Sequence, residues 1–373
     1  MVSTVLPRVA RPPTADELTL HDVEAVRLLL RGDSVIDWHR LAFSEHAEVD
    51  RFLRLNEFDP GSDDEMTRLE DIRSDAVDHL SRVYQMAIPD EVAADLPARD
   101  LFLVASSDGP HQKWACVVLK LMHIIHHING RAGLLKMSVS DEIIFREIEL
   151  KVMQVVEQLR AAGAPLAEWE WSRKPRDSQI TKLLAKRSTL AANIYDKLRF
   201  RLIVPTRDDL VPMLATLTRQ LIPFNYVVPG ESLNQLVDLE HMTARAADTD
   251  GALGPSTSAA ITLTRMVAQT QPPPVSLSSP SIAIPTNEFS GPEYRIVNFV
   301  ADLPLRIDRL LPRAEIPPEL SHVVFVLTEF QIADKATAIG NEQGASSHEA
   351  YKARQHERVR MRLFRDKDDP IPD

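Results

Sequence analysis

The chain has 373 residues, 44% of them apolar and 26% charged, with a formal net charge of −11. Such a balance is ordinary for a globular protein with a sizeable core, and the acidic surplus argues against bulk binding of duplex DNA while leaving open a local basic site. Cys116 is the single cysteine, which excludes an intrachain disulfide and cysteine-based zinc sites and fits a reducing compartment.

The N-terminal stretch Met1–Pro13 lacks an apolar core of signal-peptide length, and no 18-residue apolar run occurs anywhere. The expectation is therefore a soluble, cytoplasmic protein that does not engage a membrane. From Thr14 the sequence Thr-Ala-Asp-Glu is a capping-box pattern. It leads into Val23, Val26, Leu28, Leu29 and Leu30, with Gly32 as the stop. Further short helix is expected up to about Leu55. Residues 56–75 hold eight Asp/Glu against two Arg, with a Pro-Gly turn at 60–61, and read as a solvated loop and helix start. A helix over about Leu69–Met86 follows, then a proline-punctuated stretch to about residue 110.

Trp114–Ile128 is largely apolar and carries His123, His126 and His127. His123 and His127 are four apart and share a helix face, a spacing that metals use. With no Glu or Cys beside them, a hydrogen-bonded place in a core or interface is the better reading. Ser138–Gly163 is the clearest helix, with an apolar stripe of Val139, Ile143, Ile144, Ile148, Val152, Val155, Val156 and Leu159, and Gly163 placed to end it. Trp169 and Trp171 then stand at strand spacing.

The segment 173–187 carries Arg173, Lys174, Arg176, Lys182, Lys186 and Arg187 against the single Asp177, a local +5. Pro175 with Asp177 or Ser178 can open a helix there. Such a segment suits a polyphosphate, because anions favour helix N-termini and Arg forks; a solvated amphipathic helix is the alternative. Directly after it, Leu198, Phe200, Leu202 and Val204 alternate with Arg199 and Arg201 in the manner of a strand. Asp196 stands at that strand's mouth, where a carboxylate beside cations can hold a metal–phosphate pair or merely form a turn.

Asp208–Gln220 reads as a helix and Asn225–Val228 as a short strand-like piece. Residues 244–287 shift to Ala, Thr, Ser and Pro, including Pro272-Pro-Pro274, and read as an insertion. Tyr294–Ala301 and His322–Ile332 are strand-like, and Asn341–Arg362 helical. In the second strand Val323, Phe325, Leu327, Glu329 and Gln331 share one face, so Glu329 needs a partner or a metal. The fold class expected is α+β: a helical N-terminal domain over 1–137, then a mixed β-sheet flanked by helices over 138–365.

Four pieces in order resemble the synthetase domain of the RelA/SpoT family, which makes the alarmone (p)ppGpp on a nucleotidyltransferase-like fold. They are the basic run Arg173 to Asp196; Ile194-Tyr-Asp-Lys-Leu-Arg-Phe-Arg201; Glu329-Phe-Gln-Ile332, against the family's Glu-x-Gln-Ile-Arg-Thr; and Gly344-Ala-Ser-Ser-His-Glu-Ala-Tyr-Lys352, against its Gly-x-Ala-Ala-His-x-x-Tyr-Lys. The likeness spans roughly 140–352 less the insertion. It implies that Asp196 and Glu329 are catalytic and hold Mg²⁺ on neighbouring strands, with Glu329 near the attacking hydroxyl. It implies that Arg173, Arg176, Lys182 and Arg201 grip ATP phosphates, that Tyr294 stacks on guanine, and that Gln331, His348 and Lys352 line the substrate site.

The activity so implied is ATP-dependent pyrophosphate transfer to the 3′-hydroxyl of a guanine nucleotide. The alternatives are a transferase acting on another acceptor, such as RNA, and a degenerate nucleotide-binding regulator. Two departures fall on the acceptor side. Ala333-Asp334 replaces Arg-Thr, and Pro292-Glu-Tyr-Arg-Ile-Val-Asn298 lacks the Ser and His of the family's Asn-Gly-Tyr-x-Ser-x-His segment. A companion hydrolase site is not expected, since His21-Asp22 is the only His-Asp pair and no His precedes it.

Overall fold

The computed structural model describes residues 11–31, 42–136, 140–185, 197–238, 291, 293–308, 321–343 and 346–364. Asp196, Lys186, Arg187 and the 244–287 insertion lie outside them. The architecture is α+β, with helices on both sides of a five-stranded mixed sheet. The strands are β1 (Glu168–Arg173), β2 (Leu198–Val204), β3 (Leu233–Asn234), β4 (Val297–Arg306) and β5 (Val323–Asp334), in the spatial order β1-β2-β5-β4-β3. β5 is central, parallel to β2 and antiparallel to β4. Asn225–Val228 differs from the expected strand piece: Pro223 opens a 3-10 turn over Phe224–Tyr226, and Val227 alone bridges to Ala301.

Strict alternation gives the sheet two unlike faces. Phe200, Phe299 and Phe330 lie on one, with ring centroids 5.8 and 5.5 Å apart to either side of Phe330. They anchor a core shared with α1 (Leu20–Arg31), α6 (Asp141–Ala161) and α8 (Leu210–Gln220). The α6 stripe of Ile144, Ile148, Val152, Val155, Val156 and Leu159 is buried there, as are Val23, Val26, Leu29 and Leu30 of α1. The helix begins at Ser140, whose hydroxyl accepts from Ile143 N–H, and ends before Gly163 at φ 86°. In α1, Asp22 takes Arg219 of α8 through both guanidinium arms, which fastens two elements far apart in sequence.

Helices α2 (His46–Leu55), α3 (Asp63–Tyr84), α4 (Leu101–Ser106) and α5 (Gln112–Lys136) form a second cluster around Phe52, Phe102 and Leu119. The proline-punctuated stretch thus holds a short helix that sequence patterning does not show. Helix α5 lays one face on the far end of β4 and β5, where His127 Nε2 lies 2.8 Å from Asp302 Oδ2 and its ring meets Phe325 edge-on. Arg306 of β4 pairs with Glu65 of α3 at 2.8 Å, and Lys151 of α6 reaches Glu57 at 2.6 Å and the Pro304 carbonyl at 2.7 Å. No helix among the described residues is long and apolar enough to cross a membrane.

The contact of α5 with β5 hinges on Gly130. A Cβ there meets the Phe325 ring and comes within 2.9 Å of the Val323 carbonyl oxygen. Glycine to alanine inside a helix ordinarily stabilises by up to about 1 kcal/mol. Here the sign reverses: Gly130→Ala is expected to cost about 1–3 kcal/mol through overpacking in urea denaturation, and Phe325→Leu in the same chain to recover part of it.

Candidate functional site

The polar face of the sheet is built by register. Arg199 and Arg201 of β2 stand beside Glu329 and Gln331 of β5, and Gln331 stands beside Asn298 of β4. On the outer side, Ser172 and Glu170 of β1 face Arg199 and Arg201. Helix α5 covers the other end of the same face, at Asp302 and Phe325, and leaves this polar stretch to different neighbours. These are the loop carrying Tyr294, α9 (Lys335–Asn341) against β2 and β5, and α10 (His348–Leu363), whose Tyr351 lies within electrostatic reach of Tyr294; α7 (Arg176–Ala185) packs on α10.

Glu329 is 8% exposed and accepts from Gln331 Nε2 at 3.2 Å. Among the described residues Arg201 reaches carboxylates only at long range, Glu170 at 3.4 Å and Glu342 at 3.5 Å, so a phosphate there competes with weak partners. Arg199 donates to the Ser172 hydroxyl at 3.4 Å. The Tyr294 phenol lies within electrostatic reach of Arg201, Glu329, Arg199 and Tyr351; burial pushes its pKa up, against the pull of Arg201. A buried carboxylate, two guanidinium groups, an amide and a phenol on one face make a set that can bind phosphate oxygens and a flat base together.

The Tyr294 loop is clamped from β5's far end. The Asn341 amide accepts from Arg295 N–H at 3.0 Å and donates to the Arg295 carbonyl at 2.7 Å. Asn341 closes α9, and α9 opens at Asp334, the last residue of β5, whose carboxylate accepts from Thr337 N–H at 2.9 Å and from the Thr337 hydroxyl. One continuous path therefore runs from the central strand through a capped helix to the loop carrying Tyr294.

The other expected residues divide. Arg173 shares its face of β1 with Trp169 and Trp171, since Trp171 pairs with Phe200, and so lies on the opposite side of the sheet from Glu329. Glu149 grips it through two guanidinium nitrogens and Glu142 through a third, and these carboxylates hold it still more firmly protonated than usual. The structure does not bring it to Arg199 and Arg201. Arg176 is exposed at the start of α7, and Lys182 lies half-buried on the same helix, which packs against α10. Lys352 is exposed on α10, and His348 is that helix's first residue, after the capping Ser347. Arg199 is the residue the motif reading omits, although it alternates in phase with Arg201.

The helix-face reading of the histidines is met by packing. His126 is buried and His123 half-buried beside Tyr226, and desolvation pushes both down to about 3. Among the described residues no group of three or more His, Cys, Asp or Glu is arranged to hold a metal. Glu329 supplies an oxygen donor of the kind that Mg²⁺ takes from proteins, where one or two carboxylates suffice beside substrate phosphates; its expected companion Asp196 falls outside the described residues.

No family model and no curated protein matches the chain. Among solved structures it is similar to small alarmone synthetase 1 from Bacillus subtilis, at 13% identity over 60% of this chain and 86% of that one, with a TM-score of 0.28. Small alarmone synthetase 2 from the same organism gives 13%, 60%, 88% and 0.29. A GTP pyrophosphokinase family protein from Streptococcus pneumoniae gives 13%, 59%, 83% and 0.28. The overall superposition is weak at these scores.

The Asp334 cap carries a pH signature. Burial pushes its carboxyl up, but the Thr337 hydroxyl and backbone N–H outweigh burial and hold it below the usual range. A carboxyl depressed in the folded state contributes stability that is present above its unfolded pKa near 3.9 and is lost as pH falls through the folded value. Asp334→Ala is expected to cost about 0.5–2 kcal/mol at pH 7. That difference shrinks toward pH 3 when unfolding is followed across the range.

Proposed function

We propose that this chain is a transferase that moves a pyrophosphate group from ATP to the 3′-hydroxyl of a guanine nucleotide. The observation that supports it best is the polar sheet face, where Arg199 and Arg201 stand in register with Glu329 and Gln331, with the Tyr294 phenol within electrostatic reach. The motif order in the sequence supports it independently. In this reaction the acceptor oxygen attacks the β-phosphorus of ATP, the bond from that phosphorus to the bridging oxygen breaks, and AMP leaves. Such chemistry asks for positioning and charge neutralisation rather than covalent help.

In this reading Arg199 and Arg201 take non-bridging phosphate oxygens, and Arg201 exchanges its distant carboxylate partners for them. Tyr294 stacks on the acceptor base, in an orientation kept by Asn341. Glu329 accepts the proton of the attacking hydroxyl, a role that generally contributes about 10²–10⁴ in rate. Gln331, donating to Glu329, keeps that carboxylate turned along the strand. Arg176, Lys182, His348 and Lys352, on the two packed helices, complete the phosphate-binding wall. Glu329 and Asp196 would hold Mg²⁺, which would further neutralise the triphosphate. Guanine specificity rests on the resemblance and on Tyr294.

Incubating the pure protein with labelled ATP, Mg²⁺ and a panel of nucleotide and RNA acceptors tests this. Transfer to GDP or GTP with release of AMP is expected; transfer only to RNA replaces the acceptor. Glu329→Gln is nearly isosteric and is expected to lower turnover at least about 100-fold while ATP still binds. Full activity in that variant sinks the assignment of the base. A wild-type chain that turns over no acceptor, with a Gln variant of raised thermal stability, identifies a binding module, since burying a carboxylate is costly when catalysis does not need it.

A further inference from the structure

Register lines up two rows of side chains across the polar face. One is Arg199, Glu329 and Val300; the other is Arg201, Gln331 and Asn298. Both guanidinium groups come from β2, while β4 contributes only the uncharged Val300 and Asn298 to these rows. Positive charge therefore falls off across the face from β2 to β4. Phosphates lying on it belong at β2, and an uncharged sugar and base at β4, where the loop carrying Tyr294 leads into the strand.

Asn298 has an open hydrogen-bond account. It is half-buried, and its Oδ1 is buried with no hydrogen-bond partner among the described residues. Gln331, beside it on β5, turns its Nε2 to Glu329 at 3.2 Å, and Leu233, beside it on β3, has no polar group in its side chain. Interiors rarely leave a polar atom so placed without a partner. A phosphate oxygen only accepts, so it suits one end of an amide. A hydroxyl both donates and accepts, and meets an Asn amide whichever end is turned to it.

The transfer reading puts the acceptor's attacking 3′-hydroxyl at Glu329, and the inference rests on that reading. Glu329 and Asn298 are diagonal neighbours, since Val300 pairs with Glu329 and Gln331 with Asn298; such neighbours stand about 7–8 Å apart. Ribose carries its 2′-hydroxyl on the adjoining carbon and on the same side of the ring. A sugar with its 3′-hydroxyl at Glu329 can thus turn its 2′-hydroxyl to Asn298. We propose that Asn298 reads the 2′-hydroxyl of the acceptor and makes the site selective for ribonucleotides over deoxyribonucleotides. The 2′-hydroxyl is the group by which proteins tell the two apart.

Calorimetry on the full chain with GDP and 2′-deoxy-GDP tests this, with the side-chain amide ¹⁵N resonance of Asn298 as a second readout. GDP is expected to bind about three- to tenfold more tightly than 2′-deoxy-GDP, the worth of one neutral hydrogen bond. In Asn298→Ala the affinity for GDP falls to that for 2′-deoxy-GDP, which itself changes little. The Asn298 amide resonance is expected to shift with GDP and to stay near its free position with 2′-deoxy-GDP. Should the variant not fold, that shift and the wild-type ratio decide alone. Equal wild-type affinities overturn the inference. So does an Ala variant that weakens both nucleotides alike, which sets Asn298 against the base or a phosphate instead. Binding is read without turnover, so the two readings fail separately. A ribose preference lost in Asn298→Ala, in a chain that transfers nothing, upholds the inference and sinks the transfer. Equal affinities in a chain that does transfer pyrophosphate to GDP have the reverse effect. A chain that binds neither nucleotide overturns both.

Discussion

The strict alternation of side chains along β5 is the constraint on which the rest depends. Because β5 is central, every second residue must serve a different layer. Phe330 and Ile332 go to the core shared with α1, α6 and α8, while Glu329 and Gln331 go to the opposite face. The aromatic stack of Phe200, Phe330 and Phe299 crosses three adjacent strands and locks their register. A slip of one residue sends Glu329 into that stack and Phe330 onto the polar face, so the packing energy of the core also fixes the chemistry on the other side.

The two faces are finished by different means. The core face is closed by long amphipathic helices, whose burial requires only apolar stripes of the right period. The polar face is divided along its length. At one end α5 seals it with Phe325, Tyr226 and the His127–Asp302 pair. At the other, α9 and the Tyr294 loop frame it through hydrogen bonds of Asn341 and the Asp334 cap. Polar framing suits a site that has to admit a charged substrate, because the guanidinium groups keep exchangeable partners while the backbone beneath them stays ordered.

Much of this was legible in the residues. The alternation of Leu198–Val204 and of Val323–Gln331 marks both central strands, with Arg201 out of the apolar phase of the first and Glu329 on one face of the second with Gln331. The α6 stripe and its glycine stop were equally plain. Arg173 shows what reading a charge cluster hides. Its phase with Trp169 and Trp171 assigns it to the core face, but the run of cations around it invited a single reading. Arg199 is the converse, inside the family-like run and in phase with Arg201 yet given no role by the resemblance. The packing of His123 and His126 depends on Tyr226 and Phe325, about 100 and 200 residues downstream, and no local pattern encodes such contacts. The same holds for α1, whose stripe announces a helix but not that it packs on α8 through Asp22 and Arg219.

If the polar face of β2 and β5 holds a polyphosphate, nucleotide affinity depends on Arg201, which calorimetry in the presence of Mg²⁺ measures directly on the wild-type chain and on Arg201→Met. Losing a charge-assisted contact of about 1.5–3 kcal/mol weakens binding by roughly tenfold or more. A polyphosphate site there predicts that loss for ATP, with melting temperature little changed because the ion pairs of Arg201 among the described residues are distant. Equal ATP affinity in the two proteins contradicts it.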